Sequence, residues 1–218
     1  MSIIKLNNKI IKLNNKFEAL TIPITVTDQD GNVYNTVTIG TQIWTTSNLA
    51  TTKYNDGTPI LNLTGTTAWS SDTTGAYCWY NNNIVNKPDY GGLYNWYAVN
   101  TGILAPTGWH IPTNAEWLTL ITYIGGANYG GKLKSTGFTY WNSPNTGAID
   151  SLGMGVRGAG IRQKIGAFNF LKTASYLWST TQYDASNGYC AQFDTTTATI
   201  SSTAVSKGWG ESVRLIKN

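Results

Sequence analysis

Two identical heptads open the chain, Ile3-Ile-Lys-Leu-Asn-Asn-Lys9 and Ile10-Ile-Lys-Leu-Asn-Asn-Lys16. Ile3, Leu6, Ile10, Leu13, Phe17 and Leu20 fit the a and d positions of a short coiled coil. Asn and Ile are mediocre helix formers, however, and so short a seam is marginal by itself. Ile-Ile-Lys-Leu also reads as a strand, and Asn-Asn tolerates the positive φ that turns one short strand into the next. We take residues 1–20 as an extended arm, with the coiled coil as the alternative. From Thr21 the pattern changes to Ile22-Pro-Ile-Thr-Val-Thr27, a turn at Asp28-Gln-Asp-Gly-Asn32, and alternating Val33-Tyr-Asn-Thr-Val-Thr-Ile39. This predicts strand, turn and strand. The turn also resembles a calcium loop, but it lacks the bidentate Glu such a loop needs further along.

Residues 40–75 read as loop, with turn chemistry at Tyr54-Asn-Asp-Gly-Thr-Pro59. The run Leu93-Tyr-Asn-Trp-Tyr-Ala-Val99 suits either a short helix or a buried strand. The strongest helix signal starts at Thr113, where Thr113-Asn-Ala-Glu116 is a capping box. Trp117, Leu120, Ile121 and Ile124 then recur at helical spacing until Gly125-Gly126 stops the run. Glycine-rich loops are expected to about residue 166. Strand-like segments follow at Ser175–Ser179, Tyr189–Asp194, Thr197–Ser202 and Ser212–Ile216, the last suited to close a sheet.

Composition supports this reading. Thr, Gly, Asn and Ser together account for 91 of 218 residues, a bias against long helices and towards turns. The 9 Trp, 13 Tyr and 5 Phe exclude a disordered chain. The formal charge of +4 invites a nucleic-acid reading, but +3 of it belongs to residues 1–20. The nearly neutral body lacks the clustered cations of a phosphate-tracking groove. No apolar run is long enough for a membrane helix, and the first residues lack the apolar stretch and cleavage site of a secretory signal. Cys78 and Cys190 permit one disulfide without requiring it.

Several strings then carry a resemblance. Asp28–Trp44, Asn48–Gly57, Gly92–Val99, Ala105-Pro-Thr-Gly-Trp-His-Ile-Pro-Thr-Asn-Ala-Glu-Trp117, Leu177–Thr181 and Gly210-Glu-Ser-Val-Arg214 resemble the Fibrobacter succinogenes major paralogous domain, from about residue 28 to the C-terminus. The resemblance implies an α+β, C-type-lectin-like fold: a twisted antiparallel sheet, one or two helices and long irregular loops. It also implies surface proteins without established enzyme activity, and a ligand surface near the C-terminal strands. This chain departs from the pattern in opening with the heptads rather than an export signal. It also has Leu215 where family tails carry a Cys after the Ser-Val-Arg string.

Little in the sequence suggests catalysis. His110 is the one histidine, placed between Trp109 and Ile111 just before a helix, where a structural hydrogen-bonding role fits best. One His and two distant Cys do not make a recognisable zinc site. Glu116 is already engaged in a cap, and paired glycosidase carboxylates are not evident. The reactive cysteine pair of formylglycine-generating enzymes and the Glu-Pro-Asn or Gln-Pro-Asp calcium strings of classical sugar-binding lectins are missing. Residues 182–209, by contrast, mix aromatics with small polar groups as adaptable recognition surfaces do. Tyr183, Asp184, Ser186, Asn187, Tyr189, Gln192, Lys207 and Trp209 are the candidate ligand residues, although Tyr189 and Trp209 suit sheet packing equally. Trp44, Trp96, Trp109 and Trp117 read as core.

The expectation is therefore a non-enzymatic module of two parts, with no cofactor and no metal. Residues 1–20, through Ile3, Leu6, Ile10, Leu13 and Phe17, would dock on other chains of an assembly or form a homo-oligomer, and residues 21–218 would form the lectin-like head. A phage virion fibre or decoration subunit meeting a host surface or its glycans is the leading reading. A bacterial cell-surface adhesion or carbohydrate-binding protein is the alternative. Nucleic acid and membrane insertion are not expected.

Overall fold

The structure, a computed structural model, describes residues 3–6, 9–12 and 24–218. Leu13 and Phe17 of the expected docking arm lie outside the described residues. Within the arm, β1 (Ile3–Leu6) and β2 (Lys9–Lys12) pair antiparallel, with Ile4 opposite Ile11 and Leu6 opposite Lys9. The heptads take the extended form, and the coiled-coil alternative fails over Ile3, Leu6 and Ile10, where the β-branched Ile3, Ile4, Ile10 and Ile11 favour strands. Among the described residues this hairpin pairs with no other sheet.

The body is α+β, mostly sheet. β3 (Thr25–Thr27), β4 (Val33–Ile39) and β5 (Gln42–Thr45) form the expected meander. Its first turn is an Asx turn: Asp28 Oδ1 accepts from the backbone N–H of Asp30 at 2.9 Å and of Asn32 at 3.0 Å. Gly31 takes the positive φ of 81° that closes it. β6 (Leu61–Asn62), β7 (Ala76–Cys78) and β8 (Leu93–Tyr94) make a small three-stranded sheet. Three short helices accompany it: α1 (Thr66–Ser71), α2 (Lys87–Tyr90) and α3 (Trp96–Val99). The ambiguous segment at residues 93–99 is therefore both strand and helix, with Asn95 accepting from Ala98 N to cap the helix. These three helices exceed the one or two expected, because four to six residues are too few to display a helical period.

β9 (Trp109–His110) leads into α4 (Asn114–Tyr123), whose capping box and stop are those read from the sequence. Residues 127–132 form a 3₁₀ segment. The stretch expected to be glycine-rich loop also yields β10 (Ala159–Arg162). β11 (Phe168–Leu171), β12 (Ala174–Gln182), β13 (Asn187–Asp194) and β14 (Ile200–Ser206) complete a five-stranded sheet of order β11-β10-β12-β13-β14. β14 starts later than the expected Thr197, because Asp194 and Thr197 side chains take the N–H groups of Thr196 and Thr199 and hold a turn there.

The last strand, β15 (Ile216–Lys217), enters the other five-stranded sheet between β5 and β9, in the order β3-β4-β5-β15-β9. The expected strand over Ser212–Ile216 contracts to these residues because the tail changes partners as it runs. Glu211 bonds Tyr94, Ser212 N donates to Tyr176 O, Leu49 N donates to Val213 O, and Thr45 N donates to Leu215 O.

The β12–β14 sheet separates two cores. Trp178 and Cys190 pack into one, with Tyr77, Tyr94, Trp96 and Val213. Leu177, Ala191 and Phe193 pack into the other, against Trp44, Trp117 and Leu120 of α4. The four tryptophans read as core are all buried. Cys78 and Cys190 are buried, unbridged thiols that fall in different clusters. Among the described residues no helix is long and apolar enough to cross a membrane.

Candidate binding surface

The β12–β13 hairpin carries most of the candidate residues. Its tip is organised from within: Asp184 Oδ1 accepts from Ser186 N at 2.7 Å and Asn187 N at 2.8 Å, and Asn187 Nδ2 donates back to the same carboxylate. These bonds hold the exposed Asp184 carboxyl below the usual carboxylate range. Lys207 corrects the sequence reading. It is 5% exposed, and its amine points into the fold, donating to Gln182 Oε1 at 2.9 Å and Ala185 O at 3.0 Å over the Trp96 ring. It secures the hairpin instead of offering a charge to a ligand. Gly188 lets the hairpin sit directly on Trp96, since a Cβ there would fall 2.6 Å from the ring.

Strand alternation then divides the remaining candidates. Asn187 and Tyr189 share a side with Ala191, and Gln192 shares the opposite side with Cys190. On the first side Tyr183, 57% exposed, meets Tyr189 edge to face at 5.2 Å. On the second, Trp209 packs edge to face against Tyr176 at 6.2 Å, and Tyr176 lies 6.4 Å from Phe170. Gln192 is the β13 partner of Tyr176, and the exposed Ser201 is its neighbour on β14. The eight sequence candidates therefore do not form one site. They give a tip pair, a separate aromatic row with polar neighbours, and one internal lysine.

Phe170 and Tyr176 carried no signal in the sequence. Phe170 is 45% exposed and has a φ of +66°, which is strained for a bulky side chain. Backbone held in this way is a pointer towards function. Burial pushes the Tyr176 hydroxyl up to about 12, with Glu211 adding to the effect, so the phenol remains a neutral donor at physiological pH.

Three further cations are committed inside the fold. Lys134, Arg162 and Arg214 are each at most 1% exposed, and all are held by neutral oxygens. Lys134 donates to the carbonyls of Thr146, Asp194 and Thr197, and burial pushes its amine down to about 8. Arg162 donates to the carbonyls of Leu63, Thr64 and Gly166 and stacks on Trp69 at 4.5 Å. These cations gather backbone acceptors from separate loops, so the irregular segments become a rigid support for the sheet. Glu211 is buried with no hydrogen-bond partner for either carboxyl oxygen among the described residues, and the Cys190 thiol lies beside it.

His110 takes the structural place expected of it. Its Nε2 lies 2.7 Å from Glu116 Oε1, and its Nδ1 lies 2.6 Å from Asn218 Oδ1. Glu116 Oε2 accepts from the Thr113 N–H and hydroxyl at 2.7 and 2.8 Å. Partial burial pushes the Glu116 carboxyl up, but the Thr113 and His110 contacts outweigh it and the net shift is downwards. Thr113→Ala is expected to lower stability by about 1 kcal/mol, read from the urea midpoint. Among the described residues no three His, Cys, Asp or Glu side chains gather as metal ligands would. A cleft of about 460 Å³ lies elsewhere, between Asn32–Tyr34, the Ser47, Asn48 and Ala50 side of the next segment, and Lys87–Pro88. Its Asn48 amide is already held between Tyr90 O and Arg214.

A family model described as the Fibrobacter succinogenes major domain matches residues 37–217. Neither a curated protein nor a solved structure matches the chain.

Proposed function

Because the chain belongs to the Fibrobacter succinogenes major domain family, we propose that it is a non-enzymatic, C-type-lectin-like recognition module carried on the outside of a larger assembly. The aromatic row Phe170–Tyr176–Trp209 is the observation that carries this reading. Its rings stand on a sheet braced by buried cations, with the Tyr176 hydroxyl, Gln192 and Ser201 as polar neighbours. Flat aromatic surfaces beside hydrogen-bonding groups suit the apolar faces and hydroxyls of a sugar. A glycan of a host surface is the ligand class we favour. The β1–β2 hairpin, unpaired with any other sheet among the described residues, would supply the attachment. A phage virion fibre or decoration subunit is the assembly we favour for such parts, with the head exposed on the virion surface.

The non-enzymatic part of the reading is supported by how the chemically capable groups are occupied. His110 and Glu116 complete a helix cap, Asp184 closes a turn, and Glu211 is sealed in the core. No cofactor is needed for recognition of this kind.

The test is a glycan array of the full chain beside Tyr176→Ala, Trp209→Ala and a Tyr183→Ala/Tyr189→Ala double variant. Each change in the row is expected to weaken binding by tenfold or more, as truncation of a central aromatic does. The tip pair is expected to matter less. Unchanged binding in both row variants would remove that surface from the reading. Recovery of the chain with the cell envelope, and not with purified particles, would favour a bacterial surface adhesin over a virion subunit.

A further inference from the structure

β14 is an unguarded sheet edge. It forms one margin of the β11-β10-β12-β13-β14 sheet, and its seven residues pair with β13 in unbroken register from Asn187–Ser206 to Phe193–Ile200. Among the described residues, no backbone bond joins Ser201–Val205 to anything except β13. Exposed edges normally carry Lys, Pro, a bulge or a covering segment, because their spare N–H and C=O groups recruit other strands. Ile200-Ser-Ser-Thr-Ala-Val-Ser206 has no charge and no proline, and no charged residue occurs between Asp194 and Lys207. Its first residue is covered by the 3₁₀ segment, where a Cβ on Gly130 would fall 2.7 Å from Ile200 N, and the Ser202 hydroxyl donates to Asn114 Oδ1 of α4 at 2.7 Å, while the outer backbone of residues 201–205 stays open.

The other margins of the two five-stranded sheets are irregular or short: β11 has positive φ at Phe170, and β3 and β9 are three and two residues long. The open run on β14 is therefore the one long, regular edge among the described sheets.

We propose that this edge pairs antiparallel with β14 of a second copy of the chain, about a two-fold axis at Thr203. Ser201 then lies opposite Val205 of the second copy, Ser202 opposite Ala204, and Thr203 opposite itself. Small, uncharged residues meet at every position, without steric or like-charge conflict. This composition suits a copy of itself better than a charged or large apolar partner, for which the edge offers neither a counter-charge nor a pocket. The result is a continuous ten-stranded sheet with an aromatic row in each half. Five residues per chain bury less area than a standard stable interface, so the dimer is weak in dilute solution. It strengthens wherever an assembly holds two chains close together. The pairing is separate from docking through residues 1–20.

The experiment uses the full chain. Sedimentation across a concentration series is expected to show a monomer–dimer equilibrium. Thr203→Cys should give a disulfide-linked dimer under mild oxidation, whereas Thr73→Cys, in an exposed turn, should not; the native thiols are buried. Thr203→Lys places like charges opposite each other and should raise the dimer Kd about fivefold. An equimolar mixture with Thr203→Glu should restore association, a result that misfolding of either variant would not produce. The proposal is overturned by a wild-type chain that stays monomeric at every concentration. It is equally overturned by a dimer that Thr203→Cys links no faster than Thr73→Cys does, since that association would lie elsewhere, for example in the arm.

Discussion

Arg214→Ala is expected to lose about 4–6 kcal/mol of folding stability, comparable to the whole stability of many domains. The guanidinium is fully buried and joins four acceptors from two separate segments of the chain, residues 45–48 and 154–155. Nε donates to Asn48 Oδ1 at 2.6 Å, and Nη1 donates to Thr45 O at 2.7 Å and Met154 O at 2.8 Å. Nη2 donates to Gly155 O at 3.1 Å. Removing it leaves buried acceptors without donors, each costing about 1–3 kcal/mol unless water replaces the bond. Burial pushes Arg214 down to about 9, with Arg157 adding to the shift and Asp150 opposing it, so the group remains charged at neutral pH. Arg214→Lys should recover only part of the loss, because one ammonium cannot reproduce the planar fork. Urea unfolding at pH 7 measures both variants. An alanine variant within about 1 kcal/mol of wild type would show that the tail is held by other means.

Glu211→Met is expected to act in the opposite direction, raising stability at pH 8 by about 1–3 kcal/mol, since it replaces a buried carboxyl whose oxygens lack hydrogen-bond partners with an apolar group of similar size. Burial pushes the Glu211 carboxyl well above its ordinary value of 4.5, with only the Cys190 thiol opposing the shift. The folded chain therefore keeps a proton that the unfolded chain releases above about pH 4.5. Stability linked to this group is complete below that pH. It declines as pH rises towards the folded-state pKa, beyond which the full desolvation penalty remains. Melting temperatures between pH 5 and 8 should fall with pH for the wild type, and the slope should flatten in Glu211→Met. An unchanged slope would assign the pH dependence to other groups. Lys134, pushed down to about 8, has the opposite sign, but its stability gain comes only as pH rises from about 8 towards 10.5.

These two residues show where the sequence stops being informative. Gly210-Glu-Ser-Val-Arg214 was visible as a motif, but its acid and its base look like surface or site residues until the fold buries both. The legible features were local ones: the Thr113–Glu116 box, the Trp117–Ile124 period, the Asp28–Asn32 turn and the extended heptads. Each depends on neighbours within a few positions. The aromatic row depends on Phe170, Tyr176 and Trp209 being brought together from separate strands and a loop, so no short pattern could reveal it. Lys207 was misread for the same reason, because its acceptors Gln182 and Ala185 lie over 20 residues earlier. The split of Tyr189 from Gln192 could have been inferred, since their odd spacing on one strand sends them to opposite sides of the sheet.

The place of β15 between β5 and β9 has a consequence for biosynthesis. Ile216 pairs with Trp44 and also with His110, so the sheet containing β3–β5 cannot close until residue 216 has left the ribosome. Everything made before that point waits with tryptophans and a sheet margin uncovered. Long-range pairing of this sort slows folding and prolongs exposure of sticky intermediates. The head is thus expected to reach its native state only once residue 216 is available, in one late, cooperative step.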